Sequence, residues 1–468
     1  FTAVELQAQD AAAQLIADAE PNLRVAVPLA NTSGEKCTTI DGLVDGTAFV
    51  RLLRYLPGGT LLESGYLTPA AVAGLGEVAG RVSRALKDFT HPGLDRILQW
   101  DLRFGMDVVD ELSSHVSDPE LRARLDTSAR EAWSRIAPLD DVLPRQAAHI
   151  DLTDANVVVS RDAGGPRPDG IIDFGDLSHT WAVSELAVTA SSVLGHPGAQ
   201  LTSVLPAIRA FHAVRPLSAV EADALWPLLV LRTAVLIVSG AQQAVLDPDN
   251  DYITEQSDAE TRMFELATSV PLDVMSAVIA AALGLASPPA PVQAQARLVE
   301  VDPATVVALD LSSTSEVYDD AFDSAGVLSN DVEAHSATAA LDHGAALVVT
   351  RFGEARLSRA PRLSQDAPEV VATGITLWSA TDTGLTAPWD GEASGDDAGR
   401  VTLRGNDLEL TLAGVPEATL GPVGAGQPLA RAGALTPVGL SVRVAGAPAP
   451  PPYVRTDLAP GWLALARD

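Results

Sequence analysis

The sequence predicts an α+β protein in two parts, a mainly helical part followed by an all-β part. Three observations carry that expectation. From about Leu67 to Leu285 apolar residues recur at three- and four-residue spacing, the period of helices with one buried face. Beyond Leu298 short β-branched runs alternate with Gly, Asp and Pro turns, the rhythm of a small sandwich or barrel. Between the two, Ser287-Pro288-Pro289-Ala290-Pro291 reads as an extended linker, because proline disfavours helix in the residue before it.

Taken in order, residues 4–20 are rich in Ala, Glu and Gln and read as a helix. After Pro21 come short β-like runs, Leu23 to Leu29, Thr38 to Ile40 and Phe49 to Leu56, the last stopped by Pro57-Gly58-Gly59. One β-rich interruption, residues 148–174, breaks the helical zone. In the second part the runs Leu347 to Thr350, Val370 to Trp378, Arg400 to Leu403, Leu408 to Leu412 and Leu440 to Val444 read as strands, and Ala447 to Pro452 as a second proline-rich spacer. The expected boundaries are a small lobe at 1–58, a helical lobe at 59–286, a linker at 287–297, a β-rich domain at 298–446 and a spacer with tail at 447–468. No internal repeat is visible.

Acidic residues number 61 and basic residues 31, so the net charge of −30 argues against nucleic acid and anionic membrane as partners. A single cysteine, Cys37, excludes a disulfide framework and any cysteine-rich metal site, and with it the chain reads as cytoplasmic. The most apolar stretch, Leu228 to Val238, is interrupted by Arg232, preceded by Pro227 and shorter than the ~20 residues a bilayer needs, so it reads as a buried helix. The chain opens on Phe1 without a basic region and apolar run of the signal-peptide kind. It is read as a fragment, and the spacer near its end as the approach to a further module.

The stretch with the most chemistry is His149-Ile-Asp151-Leu-Thr-Asp-Ala-Asn156, then Val157 to Val159, a turn at Gly164-Gly165-Pro166, and Ile171-Ile-Asp173-Phe-Gly-Asp176. It reads as a loop, a strand, a turn and a return strand that hold Asp151, Asn156 and Asp173 near one another. Phosphoryl transfer from ATP needs such a set. One carboxylate orients the attacking hydroxyl and accepts its proton, while an amide oxygen and a second carboxylate hold the Mg²⁺ that neutralises phosphate charge.

These residues resemble the H-x-D-x-x-x-x-N and I-D-F-G-D motifs of the aminoglycoside phosphotransferase/choline kinase-like family. The resemblance implies a protein-kinase-like domain with a truncated N-lobe and a mainly helical C-lobe. It makes Asp151 the catalytic base, Asn156 and Asp173 the Mg²⁺ ligands, His149 the brace of the catalytic loop and Asp176 the second acid after the metal aspartate. Val50-Arg-Leu-Leu-Arg-Tyr55-Leu56-Pro57 looks like the last N-lobe strand and the hinge, whose backbone at Tyr55 and Leu56 would contact adenine. Glu5, on the opening helix, takes the place of the glutamate that pairs with the phosphate-binding lysine. Only two lysines are present, Lys36 in a turn after that helix and Lys87 in the helical lobe. The resemblance therefore expects the glycine-rich loop and its lysine upstream of Phe1.

Arg232, Ser239, Asp247-Pro248-Asp249-Asn250-Asp251-Tyr252 and Ser257 resemble the hydroxylysine kinase-like branch, which implies the hydroxyl of a small amino alcohol as acceptor. Asp154, Asp176 and Glu185 read either as receivers of the substrate's ammonium group or as ordinary surface charges. Further on, Ala372-Thr-Gly374-Ile-Thr376-Leu-Trp378 and Ala387-Pro388-Trp-Asp390-Gly391 resemble lysostaphin-type zinc metallopeptidases. Ala372, Thr376, Gly439 and Ser441 stand where that family has metal ligands, and His335 and His343 have no partner histidine nearby in sequence, so the domain is expected to be inactive as a peptidase. A kinase joined to such a domain is similar to bacterial fusions that continue into a pyridoxal-phosphate class III aminotransferase-like module. The reading is a kinase that uses ATP and Mg²⁺ on an amino alcohol such as hydroxylysine. A non-catalytic pseudokinase and pseudopeptidase scaffold, an aminoglycoside phosphotransferase and, most remotely, a zinc peptidase stay open, as does a homo-oligomer.

Overall fold

The computed structural model describes the chain apart from residues 45, 63, 163–164, 248–250, 288–290, 320, 323–331, 361–363, 365 and 468, and apart from the side chains of 41–44, 46–47, 162 and 251–256. Residues 1–272 with 282–285 form one unit, and residues 273–281 with 286–468 form a second.

The first unit opens on the helix Ala3–Ala19, started by a capping box in which the Thr2 hydroxyl accepts from the Glu5 N–H and the Glu5 carboxylate accepts from the Thr2 N–H. A three-stranded antiparallel sheet follows, with Gly46–Leu53 between Pro28–Leu29 and Cys37–Val44. The helix is tied to the sheet by Arg51, which reaches Asp10 at 2.8 Å and Gln9 at 2.9 Å. It is tied to the helix Pro69–Ala85 by Glu20, paired with Arg81 and Arg84. Three other helices carry local start signals of the same kind, with Thr68 before Pro69, Asp118 before Pro119 and a Ser218–Glu221 capping box.

The turn after Leu53 is held against a second small sheet in which Gly165–Ile171 lies between Arg24–Val25 and Val157–Asp162. Val159 donates to the Gly59 carbonyl and Arg24 to the Pro57 carbonyl. Gly58 has φ +127°, and a Cβ there would sit 1.9 Å from the Val159 oxygen; Gly59 has φ +75° with open space around it. The two glycines therefore separate two costs. Gly59→Ala should cost only the left-handed backbone term, about 1 kcal/mol, whereas Gly58→Ala adds a backbone clash and should cost at least about 2 kcal/mol. Equal shifts in the urea midpoints of the two variants would contradict this docking.

The helix Ala219–Leu246 runs through both Pro227 and Arg232, so the apolar run is part of a much longer element than its punctuation suggests. By length and composition it could cross a membrane, but 78% of its most apolar window is buried inside the protein. Pro227 lacks the N–H of one helical bond and is nevertheless fully packed, showing tertiary contacts overriding a local breaker.

The second unit is β-rich rather than all-β. In its main sheet Gly421–Val423, Gly391–Gly395, Val401–Gly405, Leu408–Ala413, Val438–Val444, Ile375–Ser379, Leu347–Val349 and Val306–Ala308 follow one another in space. All these pairs are antiparallel except the last, Leu347 beside Val306. A parallel pair needs a crossover connection, and the helix Val332–Asp342 lies between the two strands in sequence, packing Ala337 and Leu341 beside Val348 and Trp378. Trp389, Leu403, Leu412, Leu429 and Val438 form the main core. The run Val370 to Trp378 divides at Thr373-Gly374 into Glu369–Ala372 and Ile375–Ser379.

The segment expected as spacer and tail is built into this unit. Tyr453–Arg455 pairs antiparallel with Glu369–Ala372, Ala466–Arg467 pairs with Val438–Val444, and Trp462 of the short helix Ala459–Leu465 is buried. Prolines suit this role because they still offer carbonyls. Pro452 and Pro451 accept from the Thr373 N–H and hydroxyl.

Candidate active site

The strand Arg145–Ala148 delivers the chain to His149, and the loop from there to Asn156 is pinned at every turn. His149 is fully buried, its Nε2 3.1 Å from the Ile172 carbonyl and its Nδ1 3.3 Å from the Asp151 N–H. The first contact makes Nε2 the donor and leaves Nδ1 to accept. Burial pushes the imidazole down to about 4, so it is neutral, and its ring lies 4.8 Å from that of Phe174. His149 thus joins the two halves of the motif as a brace.

Two non-glycine residues here hold left-handed backbone, Ile150 at φ +52° and Asp173 at φ +58°. For a β-branched residue this is a true outlier, and such strain persists only where surroundings enforce it. Next to Ile150 stands Glu185, whose carboxylate accepts the His149 N–H at 2.8 Å. For Asp173, two residues beyond the end of the return strand Gly165–Ile171, the carboxylate accepts the Gly175 N–H at 3.0 Å.

Glu185 is therefore beneath the loop, with no exposed surface, and its carboxylate serves the backbone rather than a substrate ammonium. Burial pushes its carboxyl up to about 8, against the His149 N–H that favours the charged form. The folded state then binds this proton more tightly than the unfolded chain, whose value is near 4.5. Its contribution is greatest below that lower value and falls as pH rises through the folded one. Glu185→Gln should flatten the decline of the unfolding midpoint between these pH values; parallel profiles for variant and parent would refute the burial argument. Asp154 is paired, 2.9 Å from His196 Nε2, and also lines the cavity that holds Asp151.

Asp151, Asn156, Asp173, Asp176, Arg232 and Glu260 all line one cavity of about 480 Å³. The Asn156 amide nitrogen donates to both the carboxylate and the carbonyl of Asp151. That orientation turns the amide oxygen away from Asp151, where it can serve as an oxygen ligand. With the Asp173 carboxylate it makes the hard oxygen pair that suits Mg²⁺, whose remaining positions are commonly filled by phosphate and water. Burial raises Asp151 to about 7, with Arg232 opposing and Asp176 and Asp173 adding to the rise. Asp176 is also raised, chiefly by burial.

Glu5 stands in the first turn of its helix, its carboxylate capping Thr2 and 3.7 Å from Arg96, which donates to the Gly175 carbonyl. This places Glu5 beside the Asp173 turn. Tyr55 is exposed, whereas Leu56 is buried with Ala26 and Val158. Lys36 and Lys87 are both exposed. Of the proline–asparagine–tyrosine turn, residues 248–250 lie outside the described residues; the helix Asp251–Ala267 follows it. Ser239 is buried and accepts from Gln99 at 2.6 Å.

Sequence reasoning missed Glu260 and Trp100 as cavity residues, and took Arg232 as part of the resemblance to the hydroxylysine kinase-like branch without placing it in the site. The available signal was a charge set inside an apolar run. In the second unit, Ala372, Thr376, Gly439 and Ser441 come together on a cavity of about 390 Å³, with Thr376 directly opposite Gly439. His335 and His343 are not among its lining residues, and Asp390 fastens its loop by accepting the Ala425 N–H.

Residues 2–219 match the phosphotransferase enzyme family. The chain is 25% identical over 236 residues to hydroxylysine kinase of Mus musculus, covering 47% of this chain and 61% of that protein. It is 26% identical over 237 residues to hydroxylysine kinase of Bos taurus, with the same coverage. The chain thus spans less than two thirds of the length of these relatives. Among solved structures, a microcompartment-associated aminopropanol kinase superposes with a TM-score of 0.46 at 16% identity, covering 60% of this chain and 84% of the other. The stretch that contains the strained loop, the Asn156–Asp151 bond and the Asp173 turn therefore carries the sequence pattern of the phosphotransferase enzyme family.

Proposed function

We propose that the protein transfers the γ-phosphoryl group of ATP to the hydroxyl of a small amino alcohol, with hydroxylysine-type acceptors preferred. The observation that carries this reading is the convergence of Asp151, Asn156 and Asp173 on one cavity, with Asp151 held by Asn156 on a strained loop. The hydroxyl oxygen forms the new bond to phosphorus while the bond to the β–γ bridging oxygen breaks, and the hydroxyl proton passes to Asp151. Asp173 and Asn156 would hold Mg²⁺, which supplies charge stabilisation for the transferring group. The surplus of carboxylates over the single Arg232 in the cavity favours a cationic acceptor.

The test is ADP release by the full-length protein with 5-hydroxylysine, homoserine, ethanolamine, choline and an aminoglycoside offered separately. Turnover with an amino alcohol is expected. An aminoglycoside as the only productive acceptor would replace the substrate reading, and absence of both turnover and Mg²⁺–ATP binding would move the reading to a scaffold.

A further inference from the structure

Arg232 lies in the middle of the helix Ala219–Leu246, within an apolar stretch, and its side chain is only 6% exposed. Its Nη2 is 3.8 Å from an Asp151 carboxylate oxygen, an ion-pair distance too long for a hydrogen bond. Its guanidinium carbon lies over the Trp100 ring, 5.0 Å from its centre. Among the described residues, Nε and Nη1 meet no acceptor, although both are shielded from water. A buried guanidinium with unused donors is costly unless a ligand completes it. Arg232 also lines the cavity that holds Asp151.

The neighbourhood narrows what that ligand is. Glu260 lines the same cavity, and burial lifts its carboxyl to about 7 while Arg232 holds it down. One wall thus offers a planar cation next to an acid, the complement of a zwitterion. A nucleotide phosphate at Arg232 would face Asp151, Asp176 and Glu260 at once, all of which interact with this guanidinium. A carboxylate carries less charge and fits the fork, because Nη2 with either neighbouring nitrogen can take both its oxygens.

We propose that Arg232 is the residue that binds the acceptor's carboxylate, and that the acceptor is a hydroxy amino acid rather than a simple amino alcohol. This rests on the phosphotransferase reading of the same cavity and adds a chemical requirement to it. The experiment compares pairs that differ only in the carboxylate: homoserine with aminopropanol, serine with ethanolamine, and 5-hydroxylysine with its decarboxylated diamine. In the parent protein kcat/KM should favour the acid member of the productive pair. Arg232→Met should reduce that preference by roughly 10–100-fold, mainly through KM, with part of it restored in Arg232→Lys. Calorimetric titration of 5-hydroxylysine without nucleotide supplies a readout independent of turnover, and should show binding that weakens in both variants. Amine members preferred by the parent protein, or equal losses on both members with a raised KM for ATP, would assign Arg232 to the phosphate and overturn the inference while leaving the kinase reading intact. Binding of 5-hydroxylysine that depends on Arg232 without any phosphorylation would uphold Arg232 as a carboxylate site but remove the kinase reading and, with it, the acceptor role. Failure of every carboxylate-bearing acceptor to bind would overturn it.

Discussion

Asp151→Asn is expected to lower kcat by about 10²–10⁴-fold, the usual worth of a positioned base. The substitution keeps the shape of the side chain and its hydrogen bond to Asn156 can re-form through the new carbonyl oxygen, so the loop should stay folded. What it removes is the proton acceptor. In the parent protein that acceptor is ionised only above about pH 7, because burial raises it and Asp176 and Asp173 raise it further against Arg232. Activity limited by this group must therefore rise with pH through that value, tenfold per unit on the acid side. The variant should lose the acid limb along with the rate. A pH–rate profile whose acid limb survives in Asp151→Asn would assign the base to another group.

Asp173→Asn should cost at least as much, for a different reason. The carboxylate charge is the part of the proposed Mg²⁺ pair that an amide cannot replace, and charge neutralisation supplies most of the stabilisation in phosphoryl transfer. The fold should tolerate the change, because the amide oxygen can still accept the Gly175 N–H and asparagine is among the residues that adopt left-handed backbone most readily. The measurement is turnover against Mg²⁺ concentration: a steep loss with an increased Mg²⁺ requirement supports the role, and parent-like turnover at ordinary Mg²⁺ would sink it.

The catalytic loop was legible because its chemistry is local. Eight residues from His149 to Asn156 carry the brace, the base and an amide ligand, and Asp173 follows after a single hairpin. Capping residues at Thr2, Thr68, Asp118 and Ser218 are local signals of the same kind, although the sequence reading did not use them. Arg232 and Glu260 were not legible as site residues, since their place beside Asp151 depends on how distant helices pack and no spacing rule spans that distance. Glu185 carried the opposite lesson. Its charge suggested the surface, yet it is buried beneath the loop and accepts the His149 N–H, next to the strained Ile150. In the second unit, the residues that follow the proline run were expected to be a tail, yet Tyr453–Arg455 completes a sheet and the prolines before it supply carbonyl acceptors to Thr373.

That completed sheet has a consequence for biosynthesis. The strand Glu369–Ala372 receives its partner from Tyr453–Arg455, at the far end of the unit's sequence. During translation the ribosome must emit all the intervening strands before this edge can be covered, and long loop closure is among the slower steps of folding. Until then the strand presents unpaired backbone donors and acceptors to any neighbouring nascent chain. Loss of Tyr453–Arg455 would leave that edge uncovered, so this strand is what keeps the edge from pairing with another chain.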